Sequence, residues 1–184
     1  MEIINKRYKI LQELGRGNYG ITYKVEDKIN KEIYALKIVD LNFITRKKNF
    51  QLIEQFKFLS YINHPFIIKP ILLEKLYLFD DYTFEQEAFF YIMPYIDNAF
   101  TIDNFIIQNK NNEKLIIETL FKIISSINFL HFFNISHNDI QKYNILIKKD
   151  NFDPVLLDLY PFNLEKELFN FNYKNLKNII YSTG

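Results

Sequence analysis

The stretch Leu14–Val25, LGRGNYGITYKV, decides the fold. Its Gly15, Gly17 and Gly20 stand in G-x-G-x-x-G spacing. A dinucleotide-binding fold requires a helix directly after such glycines. Here ITYKV follows and reads as a strand, while YKILQEL before it alternates apolar and polar residues. The glycines therefore sit inside a β-hairpin. In that place backbone N–H groups can approach a phosphate without interference from Cβ atoms. A plain glycine-rich hairpin turn is the competing reading.

Working outward, the polar turn DKINKE leads into IYALKIVD, a third strand. Lys37 lies there, between Leu36 and Ile38 and seventeen residues after Gly20. A lysine so flanked projects alone to one face of its strand, which is costly without an anion, and a phosphate is one such anion. A surface lysine on an edge strand is the alternative. Residues Lys47 to Ile62 have helical spacing through Phe50, Ile53, Phe56 and Leu59, and Pro65 ends that helix. Two more strand-like runs follow, IKPILLEKLYLF and EAFFYIMPYI, joined by the polar segment Asp80–Glu87.

The character of the chain changes near Pro94–Asn98. Asn112 to Phe133 is predicted as one long amphipathic helix, with Leu115, Ile116, Thr119, Leu120, Ile123, Ile127 and Leu130 on its apolar stripe. NILIKK and PVLLDL are two short strand candidates with the turn DNFD between them. The organisation is a β-rich half, 1–95, followed by a helical half, 96–184.

Between that helix and those strands lies ISHNDIQKYNILI, Ile135 to Ile147, which sets His137, Asp139 and Asn144 among apolar residues. Buried polar groups need partners or a task. Asn144 follows Asp139 by five residues, and Asp158 follows Asn144 by fourteen. Two carboxylates and a carboxamide near strand ends can hold Mg²⁺, a hard cation that prefers oxygen. His137 reads as a packed structural histidine. No Gly-x-Ser-x-Gly elbow and no cysteine offers a nucleophile.

Bulk properties agree with one folded domain of 184 residues, 48% hydrophobic. The net charge of +1, from 23 basic and 22 acidic residues, exerts no bulk pull on nucleic acid or anionic membrane. Arg46-Lys47-Lys48 reads as a solvated helix face. The absence of cysteine excludes disulfides and thiolate metal sites. The start MEIINKRYKI has no apolar h-region, and the uncharged stretch around Ile123–Ser136 is short and interrupted by Ser125, Ser126 and Asn128. A cytoplasmic protein without membrane or nucleic-acid partner is expected. Asn, Ile, Lys, Phe and Tyr are favoured, a bias that an AT-rich genome would produce.

In order, these motifs resemble those of a eukaryotic-type protein kinase, of the serine/threonine kind, over Tyr8–Gly184. LGRGNYGITYKV is similar to the glycine-rich loop over the ATP phosphates, YALKIVD to the strand of the phosphate-binding lysine, and NHPFIIK to the segment after the regulatory helix. YIMPYI resembles the hinge, HNDIQKYN the catalytic loop and DLY the metal-binding D-F-G. The resemblance implies an α+β, bilobal fold. Its N-lobe has five antiparallel strands and one regulatory helix, and its helical C-lobe is partial.

It also implies roles. ATP, Mg²⁺ and a protein substrate are the expected partners. Asp139 would be the base and Lys37 would hold the α/β-phosphates, with Asn144 and Asp158 as metal ligands. Leu14, Gly15, Gly17 and Gly20 would cover the nucleotide. Thr22, Ala35 and Leu146 would sandwich adenine, with Met93 as gatekeeper. The Pro94 carbonyl and the Ile96 backbone would face the adenine edge.

The departures from the pattern are specific. Gln55 stands where the lysine's glutamate partner is expected, with Glu54 beside it. The catalytic-loop arginine is Asn138, and the lysine near the γ-phosphate is Gln141, which removes a positive charge. The glycine of D-F-G is Tyr160. The ending IIYSTG reaches the start of the A-P-E segment, so the chain reads as truncated. One face of the Asn112–Phe133 helix is expected to be exposed and apolar, a face that missing helices or a partner would cover. The 184-residue chain alone is expected to transfer little. A nucleotide-binding pseudokinase acting as a scaffold is the alternative function. A small-molecule kinase is a third, which the three-glycine loop and the His64-Pro65 pair argue against.

Overall fold

The computed structural model describes residues 3–17, 20–39, 56–76, 88–159, 176 and 178–179. The chain divides into two compact units. One comprises Met1–Ile62 and Lys69–Tyr95, the other Asn63–Ile68 and Ile96–Gly184. The expected helix partner Gln55 or Glu54, the run Arg46–Lys48, the connection Asp80–Glu87, Tyr160 and Gly184 lie outside the described residues, as does most of the helix expected over Lys47–Ile62. Residues 56–61 of that helix are helical, with Leu59 buried.

The first unit is a six-stranded antiparallel sheet. Its strands are β1 (Ile3–Ile4), β2 (Tyr8–Gly17), β3 (Gly20–Asp27), β4 (Ile33–Val39), β5 (Leu72–Leu76) and β6 (Ala88–Pro94), in the spatial order β1-β2-β3-β4-β6-β5. The five expected strands are β2 to β6. The short edge strand β1 corrects that count to six: its two residues are too few to show a period in the sequence. Asn5 and Lys6, both at positive φ, turn the chain from β1 into β2.

Strand alternation separates the two faces of this sheet. Tyr8, Val25, Leu36, Phe90 and Ile92 are buried together on one face, where the Tyr8 and Phe90 rings meet edge to face at 5.7 Å. Tyr91 and Thr22 oppose Lys37 across the ladders, and Met93 and Lys24 oppose Ala35. Directly opposed residues share a face, so Thr22, Ala35, Lys37 and Met93 lie together on the other one. The β3–β4 turn is fixed by Asp27, which is 1% exposed. Its carboxylate accepts from Arg7 Nη2 at 2.7 Å and from the Ile29 backbone N–H at 2.9 Å.

The second unit combines a three-stranded antiparallel sheet with two helices. The strands are β7 (Ala99–Thr101), β8 (Ile145–Lys148) and β9 (Pro154–Leu156), in that spatial order. The helices are α1 (Ile102–Gln108) and α2 (Glu113–Phe132). Asn112 caps α2: its side chain accepts from Leu115 N–H at 3.2 Å. Ile123 and Ile127 of α2 join Ile102, Phe105, Ile145, Ile147 and Leu156 in the core. The buried hydroxyls of Thr119 and Ser126 donate to the carbonyls one turn back, at 2.9 Å each. The 63–68 segment joins the same unit: Leu156 N–H donates to Phe66 O, and Ile68 N–H donates to Leu156 O.

By length and composition α2 could cross a bilayer. Within the unit its apolar stripe is spent on the core, and Lys122 at its middle pairs with Asp153 at 2.6 Å. Its opposite side exposes Ile117, Phe121 and Phe132, with Phe121 66% exposed.

Candidate active site

The second unit assembles its polar residues on the chain that leaves α2. Ser136 and His137 are fully buried there, and Ile140 anchors the loop in the core. A 3₁₀ turn, Lys142–Asn144, then delivers the chain into β8. It is closed by Asn144 N–H donating to the Gln141 carbonyl at 3.0 Å. This turn brings Asn144 back onto Asp139. Asn144 Nδ2 donates to Asp139 Oδ2 at 2.7 Å and to the Asp139 carbonyl at 2.9 Å. Gln141 Nε2 donates to the same Oδ2 at 3.1 Å.

Asp158 is tied to this pair through the backbone, because Leu157 N–H donates to the Asn144 carbonyl at 2.9 Å. Asp158 and Asn138 both hold left-handed backbone conformations, with φ of 53° and 60°. Aspartate and asparagine tolerate that region better than most residues. Three of the expected site residues, Asp139, Asn144 and Asp158, thus meet on one small scaffold.

His137 is the packed histidine that the sequence reading expected. Burial pushes its imidazole down to about 4, against a smaller opposing pull from the Asp158 carboxylate. The ring is neutral at pH 7. Among the described residues neither ring nitrogen has a partner at full hydrogen-bond geometry, although the Leu157 backbone also opposes the downward shift.

In the sequence Gln141 shows only as a lost charge. The structure adds that its amide reaches Asp139, a contact that depends on the 3₁₀ turn and has no signature in spacing. A second link also escaped the sequence reading. Lys142 Nζ lies 3.2 Å from Asp103 Oδ2, which joins α1 to the loop, and Thr101 donates to the other Asp103 oxygen at 2.5 Å.

The first unit carries the remaining expected residues. Lys37 is buried at 5% exposure on β4, with β3 and β6 on either side. It is therefore a central-strand lysine and not an edge one. Ala35 and Met93 are buried on its face, and Thr22 is half-buried beside it. Pro94 ends β6 and is exposed. Leu14 falls at a register shift between Glu13 and Gly15 and is exposed. In the second unit, Leu146 and Ile96 are half-buried.

The three glycines differ. Gly20 has φ of 139°, and a Cβ there would sit 1.9 Å from the Ile38 carbonyl oxygen. That glycine is required by the close approach of β3 to β4. At Gly15 and Gly17 a Cβ would meet nothing within 4 Å. Packing among the described residues does not demand glycine at those two positions.

Comparison with known proteins bears on the same stretch of chain. The family model described as the protein kinase domain matches residues 8–175. Myosin light chain kinase A of Dictyostelium discoideum is 30% identical over 152 residues, covering 82% of this chain and 48% of that protein. Serine/threonine-protein kinase ppk11 of Schizosaccharomyces pombe is 27% identical over 171 residues, covering 92% and 50%. Calcium-dependent protein kinase 4 of Plasmodium berghei is 26% identical over 164 residues, covering 88% and 29%. The chain spans about half or less of the length of these relatives. With a family match across most of its length, the chain belongs to the protein kinase domain family.

Proposed function

We propose that this chain binds ATP with Mg²⁺ and transfers the γ-phosphoryl group to a serine or threonine hydroxyl of a protein. The observation that carries this reading is the pairing of Asp139 with Asn144, at 2.7 Å, on a loop pinned to the residue before Asp158. Phosphoryl transfer needs positioning and charge neutralisation more than covalent chemistry. A carboxylate locked by two amides is suited to orient an attacking hydroxyl and accept its proton.

The donor set fits a hard divalent cation. The Asn144 nitrogen is turned onto Asp139, so its side-chain carbonyl oxygen is the atom left for a metal, with the Asp158 carboxylate as the second protein ligand of the reading. Among the described residues no group of three His, Cys, Asp or Glu forms a dedicated metal cage. That suits a cation whose remaining ligands are water and phosphate oxygens. When bound, the ion neutralises charge on the transferring phosphoryl.

The other roles are those that the resemblance to the family implies. Lys37 binds the α/β-phosphates from the central strand. Gly15 and Gly17 present backbone N–H groups where no side chain intrudes, with Gly20 holding β3 in register and Leu14 covering the base. On the first unit Thr22, Ala35, Met93 and the Pro94 carbonyl are the adenine contacts that the resemblance implies, and on the second unit Leu146 and the Ile96 backbone are. An ATP-consuming reaction of this kind fits the cytoplasm. The neutral Asn138 and Gln141 favour a second reading, a scaffold that binds nucleotide without transferring phosphate.

The two readings separate in one experiment. Mg²⁺-dependent ATP binding is measured by thermal shift, then transfer of labelled γ-phosphate to a generic protein acceptor, with Asp139→Asn as control. Binding with transfer that Asp139→Asn abolishes is the expected result. Binding without transfer in a longer chain that includes the remaining helices of the C-lobe favours the scaffold, and transfer that survives Asp139→Asn removes the mechanism.

A further inference from the structure

We propose that Lys24 is a positioning residue for the nucleotide base, acting through the ring of Tyr95. The inference rests on the reading of the Ala35–Met93 face of the first unit as an adenine site. Lys24 Nζ lies 4.2 Å from the centroid of the Tyr95 ring, well within the roughly 6 Å over which an ammonium is drawn to an aromatic face. Both side chains are half-buried, and both residues belong to the first unit. The register shows how they meet. Lys24 opposes Ala35 of β4, and Ala35 opposes Met93 of β6. Directly opposed residues share a face, so these residues form one row across it. Tyr95 follows Met93 by two residues, just past Pro94, the end of the β4–β6 ladder. Because β4 lies between β3 and β6, the Lys24 side chain crosses β4 to reach the ring. Ala35 is the small residue that leaves room for the crossing. The long apolar stem of a lysine can lie along such a surface while its ammonium meets a partner.

The nearby ladder positions do not compete for the ammonium. Gln12 and Ala35 flank Lys24 across the ladders and carry no charge. Glu26, two residues along β3, has its carboxylate 3.7 Å from Lys31 Nζ. What the ring contact fixes is the chain leaving β6. Strand pairing holds the backbone as far as Pro94, opposite Tyr34. The Pro94 carbonyl, read as an adenine contact, lies in the peptide unit that joins Pro94 to Tyr95. That unit is planar. With Pro94 held by the ladder and Tyr95 held by Lys24, it is anchored on both sides and its carbonyl keeps one direction. Without Lys24 one anchor is lost, and the carbonyl has to be ordered when the base binds, a cost that appears as weaker affinity. Lys24 needs no phosphate to act in this way, so its effect falls on the base.

The experiment titrates adenosine, which has the base and no phosphate, and Mg-ATP into the 184-residue chain and its variants by calorimetry. The proposal expects both ligands to bind about three- to tenfold more weakly to Lys24→Met and to Tyr95→Leu. Lys24→Arg keeps a cation for the ring and should bind both as wild type does. The double variant Lys24→Met/Tyr95→Leu should be no weaker than either single one, because the two changes remove the same contact. Additive losses in the double variant overturn the proposal. So does weakening of Mg-ATP with adenosine unchanged, which would place Lys24 on the phosphates. If Tyr95→Leu does not fold, the two Lys24 variants decide the matter alone. Wild-type affinity for both ligands in Lys24→Met overturns the positioning role and leaves the nucleotide reading standing. A wild-type chain that binds neither ligand overturns the nucleotide reading itself, and the positioning role with it.

Discussion

Asn144 donates its side-chain nitrogen to Asp139 twice, to Oδ2 at 2.7 Å and to the backbone carbonyl at 2.9 Å. The side chain of one residue thus fixes both the rotamer and the backbone of the other. Asp139→Asn preserves the shape of this contact but removes the proton acceptor. It should lower transfer by about 10²–10⁴-fold while Mg-ATP still stabilises the protein in thermal shift. Asn144→Asp should do worse on binding, because two carboxylates would then face each other at hydrogen-bond distance. Isothermal titration of Mg-ATP into both variants checks the split: retained binding in the first and weakened binding in the second.

The glycines make a second, separable prediction. Gly20→Ala forces a Cβ against the Ile38 carbonyl oxygen at a backbone angle that alanine avoids. It should cost about 2–4 kcal/mol of stability. Gly15→Ala and Gly17→Ala meet open space and should change stability by about 0.5 kcal/mol or less. These two should instead weaken Mg-ATP binding about tenfold, about 1.4 kcal/mol. Urea unfolding and nucleotide titration on the three variants give a crossed pattern. A Gly15→Ala or Gly17→Ala variant that binds Mg-ATP as tightly as wild type removes those residues from the nucleotide site.

That crossed pattern marks where reading the sequence stops. Spacing treats the three glycines alike, but only the β3–β4 approach makes Gly20 structural. The α2 helix was legible because twenty residues carry a regular apolar stripe, and its Asn112 and Phe133 ends fall on the helix caps. The β7 strand and α1 were missed, having three and seven residues with too little pattern to rise above their surroundings. Within the site, the five-residue interval from Asp139 to Asn144 was readable as a motif. The convergence of Gln141 on Asp139 was not, because it is made by a turn whose side-chain directions no periodicity encodes.

His137 predicts an acid effect on the second unit. Its folded-state value, about 4, lies below the ordinary 6.5 because burial disfavours the imidazolium. Between those values the unfolded chain binds the proton and the folded one does not, so stability falls as pH drops from about 6.5 toward 4. The full difference corresponds to about 3 kcal/mol. His137→Phe removes this titration. The ΔG of unfolding, measured by urea between pH 7 and pH 4.5, should slope for wild type and be flatter for the variant. Equal slopes would show that the buried ring does not carry the acid sensitivity.

The Arg7–Asp27 pair predicts a second acid effect in a lower window and in the other unit. The Arg7 guanidinium, reinforced by the Ile29 N–H, holds the Asp27 carboxyl below its usual range, and it outweighs the opposing cost of burial. A carboxyl lowered in the folded state contributes stability that is full above its unfolded value, about 3.9. That contribution is lost as pH falls through the lower folded value. Arg7→Ala leaves a carboxylate at 1% exposure without its main donor. Because the arginine side chain is itself 36% exposed and water partly replaces it, the cost at pH 7 should be about 1–3 kcal/mol, below that of breaking a fully buried pair. Asp27→Asn keeps the Ile29 contact and loses the charge. It should be destabilised at pH 7 but lose less stability than wild type below pH ~4. Thermal unfolding of wild type and both variants at pH 7 and pH 3 checks this. If acid destabilises Asp27→Asn as steeply as wild type, the pair does not hold the β3–β4 turn electrostatically.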